Sequence, residues 1–241
     1  MESAHLDELI ELEDRYWWHV AKRKIATGLL NSYVPSPAKI VEGGIGAAGN
    51  LLNWKKSGYE VAGLDIMDHS VAHAKSLGIE EVKKHDLHEP WPFEENSVSG
   101  IVLLDVLEHL ADPVKALKEA AKTLTDSGKI IFTVPAFPFL FSDWDERLGH
   151  YRRYTPATMR EHITGAGLKV EKLRYWNSFT FPAAVAIRSF RKLFPSKKGT
   201  EFPRVSDFTN NALIRAAEIE SGAANALPIP FGLSLVGVIS K

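Results

Sequence analysis

The chain has 241 residues and no cysteine, and its 29 Lys and Arg residues nearly balance 30 Asp and Glu residues. A chain of this length can bury a substantial core, and its 45% hydrophobic and 24% charged content is typical of a globular protein. The missing cysteines exclude disulfides, zinc–thiolate sites and thiol nucleophiles, and the charge balance argues against nucleic-acid binding.

The balanced charge conceals two oppositely charged halves. Residues 1–120 contain 12 basic and 20 acidic residues, whereas residues 121–241 contain 17 and 10. No signal peptide is visible, because the N-terminal sequence has neither a basic region nor an apolar run. The strongest apolar stretch, residues 179–187, is far shorter than the roughly 20 residues needed to span a bilayer. We therefore expect a cytoplasmic protein.

In chain order, the first elements are two helices within residues 4–33, separated by an aromatic cluster at residues 16–18. From Lys39 onward, short apolar runs alternate with amphipathic segments. Strands are predicted at 40–41, 59–64, 98–104 and 129–134, and helices at 49–57, 69–77 and 112–124. This alternation predicts an α/β fold with a mostly parallel sheet and helices on both faces.

The alternation ends after Val134. A long aromatic loop is predicted from Pro135 to Tyr154, followed by a helix at 156–166 that Thr155 caps. The remaining predicted elements are a strand at 168–175, helices at 179–194 and 208–221 joined by a polar linker, and a final strand at 232–240. We expect an N-terminal helical cap at 1–37 and one main domain at 38–241, with a helical insertion at 176–226 before the last strand.

A glycine-rich turn at residues 44–49 follows a predicted strand and opens a helix. Its glycines allow a tight turn and a close approach of the backbone to a ligand, while the helix start offers free N–H groups. Asp65 closes the next strand, where a carboxylate can accept hydrogen bonds from ribose hydroxyls. The pattern is also that of dinucleotide-binding enzymes, so an NAD-dependent oxidoreductase is one alternative.

Glu42 argues against the oxidoreductase, because a dehydrogenase normally has an uncharged residue at this position. With Gly44 and Gly46 it resembles the first motif of class I S-adenosylmethionine-dependent methyltransferases, although the third glycine of the family falls on Ala48. Residues 85–87 resemble the adenine-binding motif of that family, and residues 92–98 and 104–113 resemble its fourth motif and the following helix.

The resemblance implies a Rossmann-like, seven-stranded methyltransferase sheet, S-adenosylmethionine as cofactor and an acceptor methylated at oxygen. The acceptor is expected to be a small molecule, a glycan or a lipid-linked compound. A module that binds the cofactor without catalysis is a further alternative. The residues expected to bind the cofactor are Glu42, Gly44, Gly46, Asp65, Ile66, Asp86, Leu87, Leu104 and Arg23.

Asp105, Glu108 and His109 form an acid-x-x-acid-His pattern. Similar O-methyltransferases of ubiquinone biosynthesis carry this pattern in association with a divalent metal, but Leu-Glu-His is widespread in this group and often has only a packing role. We predict no metal and treat His109 as a secondary candidate for the general base.

The most distinctive segment, residues 143–155, lies where class I methyltransferases build their acceptor site. His150 could act as general base, and Arg152 or Arg153 could bind a phosphate or carboxylate of the acceptor. Trp144 and Tyr154 are also expected at the acceptor. The alternative is a self-contained lid, in which the arginines pair with the acids of the same segment.

Two other segments have structural and functional interpretations. The aromatic N-terminal helix could cover the cofactor, with Arg23 near its carboxylate, or belong to the core.

Residues 179–198 combine an apolar helix face with basic residues and could contact anionic lipid, or form a solvated helix end or a dimer surface. We expect a monomer or a homodimer. The basic residues of this segment are Arg188, Arg191, Lys192, Lys197 and Lys198.

Overall fold

The computed structural model describes residues 3–193, 205–223 and 229–241. The predicted linker at 195–207 lies largely outside the described residues, as do the side chains of residues 189–193. Two helices precede the first strand, α1 at Ser3–Leu12 and α2 at Trp17–Tyr33. The remaining α-helices are α3 at Gly49–Lys56, α4 at Asp68–Ser76, α5 at Pro113–Thr123, α6 at Asp143–Arg147, α7 at Pro156–Gly165, α8 at Phe181–Leu193 and α9 at Asp207–Ala223.

Seven strands form one sheet in the order β3-β2-β1-β4-β5-β7-β6. Only β7 runs antiparallel to its neighbours, so the predicted, mostly parallel sheet is confirmed. The strands are β1 at Lys39–Gly43, β2 at Glu60–Asp65, β3 at Val82–Lys84, β4 at Val98–Leu104, β5 at Leu124–Pro135, β6 at Lys169–Trp176 and β7 at Ser234–Ser240.

Apolar side chains cover both faces of the sheet, as the sequence predicts. One core packs α5 and α7 on the sheet through residues such as Leu117 and Met159. The other core packs α2, α3, α4 and α9 on the opposite face, around Leu30, Trp54 and Ala217. The strand order places β1 and β4 side by side. The chain continues from β1 to β2 on one side of this pair and from β4 to β5 on the other side. Ligands of open α/β sheets bind at the carboxyl ends of the strands at such a reversal.

Two predicted elements differ from the structure. Strand β5 begins at Leu124, earlier than predicted, because Leu124 pairs with Val98 ahead of a register shift, after which pairing resumes between Gly100 and Lys129. The predicted loop at 135–154 contains a 3-10 helix at Pro138–Leu140 and the helix α6. Helix α6 forms because Ser142 and Asp145 satisfy each other's backbone N–H groups in a capping box.

No helix in the described part of the chain is long and apolar enough to cross a membrane. Arg188, from the basic segment, does not point to a lipid surface, because it donates to Asp145 and Ser142 beside the sheet. This corrects the expectation for that residue. Lys197 and Lys198 lie outside the described residues, as do the side chains of Arg191 and Lys192.

Candidate functional site

The glycine turn lies at the carboxyl end of β1, and its backbone conformation requires small residues. Gly44 has φ of +74°, and a Cβ added there would lie 2.6 Å from Val106 Cγ2. Gly46 has φ of +51°, and Ala48 adopts the left-handed region with φ of +62°. A non-glycine residue in that region costs roughly 1 kcal/mol or more. Ala48, at the position where the third glycine of the resembling motif is replaced, thus adopts a conformation that favours glycine.

Glu42 is buried beside this turn, with 1% of its surface exposed. Its Oε1 accepts a hydrogen bond from Asn50 Nδ2 at 2.8 Å, while its Oε2 is buried without a hydrogen-bond partner among the described residues. Burial, together with the charge of the nearby Glu13, raises the pKa of Glu42 to about 8, although the hydrogen bond from Asn50 opposes the increase. An ammonium donor, such as the one on a bound amino acid group, would satisfy the free oxygen. The site thus fits the methionine part of S-adenosylmethionine.

Asp65 ends β2 next to the glycine turn. Its Oδ2 accepts from Gly46 N at 3.2 Å and its Oδ1 from Met67 N at 2.9 Å. Burial raises the pKa of Asp65, and these backbone hydrogen bonds partly oppose the increase. The next residue, Ile66, is 59% exposed at the same edge, so an apolar surface is available to a ligand beside the ribose-binding position.

The adenine-binding candidates, Asp86 and Leu87, follow β3. Leu87 is buried, and its side chain lies within 3.3 Å of the Cβ position of Gly43. Asp86 is half-exposed and accepts from the backbone N–H of His88 at 2.9 Å, which lowers its pKa. Leu104, at the end of β4, is buried near the same edge. The structure therefore brings the predicted cofactor residues of four strands to one edge of the sheet.

The N-terminal helices cover this edge with charged side chains. Glu13 Oε2 accepts from Gly49 N, at the start of α3, at 3.0 Å. Arg23 lies beside the turn but is engaged in the structure, donating to Asp14 at 2.7 Å and to Asn50 at 3.1 Å. The sequence analysis missed Glu13, because a residue 36 positions away has no local signal of its contact with the turn.

Asp105, after β4, is held by groups from two other elements. Lys22 Nζ lies 2.9 Å from its Oδ2, and Thr133 Oγ1 donates to its Oδ1 at 2.8 Å. Burial opposes ionisation, but Lys22 and these hydrogen bonds outweigh it and lower the pKa of Asp105. Its φ of +55° adds backbone strain at the site. Asp105 is therefore a partly buried carboxylate that pairs with Lys22 of α2.

Glu108, His109 and His150 form a second cluster, in which one potential ligand atom from each lies within 4.8 Å of the others. Glu108 is fully buried, and neither carboxyl oxygen has a hydrogen-bond partner among the described residues. Burial, followed by the charge of Asp105, raises its pKa well above the ordinary value. Burial and His150 lower the pKa of His109 to about 4. Within the part of the chain that the structure describes, these three groups form the cluster that could hold a cation, and the sequence pattern had suggested Asp105 in place of His150.

Asp145, in α6, organises the segment 137–155, which we call the lid. It is fully buried and accepts from His150 Nδ1 at 3.1 Å, pairs with Arg153 Nη2 at 2.7 Å and accepts from Arg188 Nη1 at 2.8 Å. Burial opposes its charge, but the hydrogen bonds from His150 and Arg153 and the charges of both arginines hold its pKa well below the ordinary value. The sequence analysis did not single out Asp145.

Two predicted acceptor residues are buried in the lid instead. Arg153 is 8% exposed and pairs with Asp145, which favours the alternative of a self-contained lid for this residue. Tyr154 is 1% exposed, and its hydroxyl donates to Leu107 O at 3.0 Å, so it belongs to the core. Arg152 donates to the carbonyl of Ala111 at 2.9 Å, and Trp144 is partly exposed.

Comparisons with known proteins agree with this arrangement. Residues 41–132 match a family described as "Methyltransferase domain". An uncharacterised 37.1 kDa protein in a transposon of Streptomyces fradiae is 29% identical over 136 residues, which are 54% of this chain. The chain spans about two fifths of the length of that relative, since the match covers 39% of it.

Solved structures show the same fold at low identity. A chain in the complex of the Haloferax volcanii Trm112 methyltransferase activator superposes with a TM-score of 0.64 and 21% identity, covering 98% of this chain and 94% of that chain. Geranyl diphosphate methyltransferase, in complex with S-adenosylmethionine, has a TM-score of 0.61 and 14% identity, with 91% and 85% covered. The solved structures thus show that the chain has the fold of methyltransferases, and its residues 41–132 are similar to the "Methyltransferase domain" family.

Proposed function

We propose that the protein transfers a methyl group from S-adenosylmethionine to an oxygen atom of a small-molecule, glycan or lipid-linked acceptor. The observation that carries this proposal is the position of His150 against the strand edge that holds the predicted cofactor residues. His150 belongs to the lid, yet its ring centroid lies 4.6 Å from that of His109, which directly follows the motif around β4. The lid and the strand edge that holds the predicted cofactor residues thus meet at the rings of His150 and His109.

The contact with Asp145 defines how His150 would act. When Nδ1–H donates to the Asp145 carboxylate, Nε2 is the nitrogen that carries a free lone pair. Bound S-adenosylmethionine supplies an electrophilic methyl group on sulfonium. His150 Nε2 would take the proton of the acceptor hydroxyl as the oxygen attacks that carbon, and Asp145 would stabilise the imidazolium that results. Burial lowers the pKa of His109 to about 4, so His109 is a secondary candidate for the base.

The other predicted residues take supporting roles in this proposal. Glu42 and Asp65 would hold the amino acid and ribose parts of the cofactor, while Ile66 and Leu87 would contact its base. Arg152, which donates to the Ala111 carbonyl and lies 5.6 Å from the centroid of the Tyr151 ring, stays our candidate for a charged group of the acceptor. Lipid contact through the other residues of 179–198, without Arg188, would suit a lipid-linked acceptor.

A methyl-transfer assay tests the proposal directly. Labelled S-adenosylmethionine is incubated with the wild-type protein and a panel of hydroxylated acceptors, and transfer is compared between H150A and H69A. His69 is an exposed histidine on α4 and serves as the control. We expect H150A to lose about 10²-fold or more in turnover, the typical contribution of a general base, and H69A to match wild type.

The affinity for S-adenosylhomocysteine should be unchanged in both variants. Equal turnover of H150A and H69A would contradict the role of His150. Binding of the cofactor without transfer to any acceptor of the panel would instead favour a binding module without catalysis.

A further inference from the structure

The start of α3 holds a carboxylate that comes from the N-terminal part of the chain. Glu13 directly follows α1, and its Oε2 accepts a hydrogen bond from the backbone N–H of Gly49 at 3.0 Å. Gly49 ends the glycine turn and is the first residue of α3. A Cβ added to Gly49 would lie 2.5 Å from the same Glu13 oxygen, so the carboxylate is in close contact with the turn. Glu13 therefore lies where the turn would meet a ligand.

The surroundings of the Glu13 carboxylate suit an anion. Arg23 Nη2 lies 3.9 Å from Glu13 Oε1 and donates to the Glu13 backbone carbonyl at 3.0 Å. The start of a helix also offers N–H groups and a partial positive charge. The groups at this position are thus donors and a guanidinium, which bind a carboxylate and repel an ammonium group.

A position for a cation lies next to it. Glu42 Oε2 is buried and has no hydrogen-bond partner among the described residues, so it can accept from an ammonium group. Asn50 connects the two positions, because its Nδ2 donates to Glu42 Oε1 at 2.8 Å and its Oδ1 accepts from Arg23 Nε at 3.1 Å. An amino acid group carries an ammonium and a carboxylate on one carbon atom. The two positions match this pair of charges, and Glu13 fills the one for the carboxylate.

Glu13 loses hydration by lying there. Its side chain is 12% exposed, and burial raises its pKa, although Arg23 and the Gly49 N–H oppose the increase. If Glu13 left, the Gly49 N–H would need another acceptor, because backbone N–H groups away from water are nearly always paired. A second carboxylate can take over this hydrogen bond while Glu13 regains its hydration. A ligand that brings its own carboxylate can therefore replace Glu13.

We propose that Glu13 competes with S-adenosylmethionine by occupying the position of the cofactor's carboxylate until the cofactor displaces it. The proposal rests on the assignment of the strand edge to S-adenosylmethionine, but it does not depend on His150 or on the acceptor. Binding of the cofactor then requires the chain after α1 to move away from Gly49. The affinity of the wild-type protein is lowered by this requirement, since a site that is available for only part of the time binds more weakly.

Calorimetric titration of the intact protein with S-adenosylhomocysteine tests the proposal. E13A should bind about fivefold or more tightly than wild type, the lower end of typical coupling between two binding events. E13Q should also gain affinity, but less, because its amide oxygen can still accept from the Gly49 N–H without pairing with the charge of Arg23. E11A is the matched control, since Glu11 is an exposed glutamate on α1, and it should bind like wild type.

A second ligand tests the role of the carboxylate. 5′-Methylthioadenosine retains the adenosine and the sulfur of the cofactor but lacks the amino acid group, so E13A and wild type should bind it with the same affinity. An equal gain of E13A for both ligands would contradict competition for the carboxylate position.

Two results with S-adenosylhomocysteine separate this proposal from the cofactor assignment. If wild type binds it and neither E13A nor E13Q binds it more tightly, the competition is wrong and the assignment stands. If none of the four proteins binds it, both are wrong. A gain in affinity cannot arise from misfolding, because misfolding removes binding sites.

Discussion

The strand edge and the lid hold their functional groups in different ways. At the edge, Asp65 and Asp86 are fixed by backbone N–H groups of their own turns. In the lid, Asp145 is fixed by side chains that come from its own segment and from α8. The family match covers residues 41–132 and ends before the lid begins. The two acids of the edge are therefore held by nearby backbone groups, whereas the acid of the lid depends on charged side chains, one of which lies 43 residues away in the chain.

Removing the central acid of the lid should give the largest effect on stability. D145N keeps the size of the side chain but removes the charge that Arg153 and Arg188 face, and it leaves Arg153 buried without a counter-charge. Breaking a buried ion pair by changing one partner costs about 3–5 kcal/mol. We expect a loss of about 3 kcal/mol in the free energy of unfolding, measured by urea denaturation at pH 7.

The control is D143N, at an exposed acid in the first turn of the same helix. It should change the free energy of unfolding by less than about 0.5 kcal/mol. A lid that tolerates D145N as well as D143N would not be organised by Asp145.

At the strand edge, E42Q should make the protein more stable, and the gain should depend on pH. Because the pKa of Glu42 is raised to about 8 in the folded state, the unfolded chain releases this proton first as pH increases. Glu42 therefore does not lower the free energy of unfolding of the wild-type protein at low pH. The destabilisation grows above the ordinary glutamate pKa and levels off above pH 8. Glutamine at this position avoids the destabilisation. Above pH 8 the free energy of unfolding of E42Q should therefore exceed that of wild type by on the order of a few kcal/mol.

Unfolding is measured at pH 5 and pH 8.5 for E42Q and for E95Q, at an exposed glutamate. Only E42Q should gain stability relative to wild type as the pH increases from 5 to 8.5. A constant difference from wild type at both pH values would show that Glu42 is not held protonated in the fold. E42Q should also bind S-adenosylhomocysteine more weakly, because glutamine, unlike Glu42, cannot lose a proton to pair as a carboxylate with the amino group of the ligand.

The smallest effect on stability is expected for I66A. Since Ile66 is 59% exposed, its truncation should cost less than about 0.5 kcal/mol of the free energy of unfolding. Its loss should nevertheless weaken S-adenosylhomocysteine binding severalfold, because the apolar contact with the base is removed. I219A, at a 73% exposed isoleucine on α9, is the control. Equal affinities of the two variants would remove Ile66 from the site.

The same contrast explains what could be predicted from the sequence. Glu42, Gly44 and Asp65 were identified because strand ends and tight turns leave patterns over a few residues, and the alternation of strands and helices predicted the sheet. Glu13 and Lys22 were missed as partners of Gly49 and Asp105, since these contacts join residues far apart in the chain. Tertiary contacts of this kind have no local signature.

In the lid, the sequence identified the segment but not the roles of its residues. Arg153 and Tyr154 are polar enough to suggest a ligand, yet Asp145 and the Leu107 carbonyl satisfy them inside the fold. The sequence did carry one indication of a self-contained lid, namely the number of acidic residues near the arginines. Which acid becomes buried depends on the capping box of α6 and on Arg188 from α8, and neither follows from the composition of the segment.

Isothermal titration calorimetry with S-adenosylhomocysteine and NAD⁺ tests the central claim most directly. The account predicts that S-adenosylhomocysteine binds to the wild-type protein, that D65N lowers its affinity by about tenfold or more, and that NAD⁺ produces no binding heat. Binding of NAD⁺ in the absence of S-adenosylhomocysteine binding would contradict the assignment of the strand edge to a methyl donor.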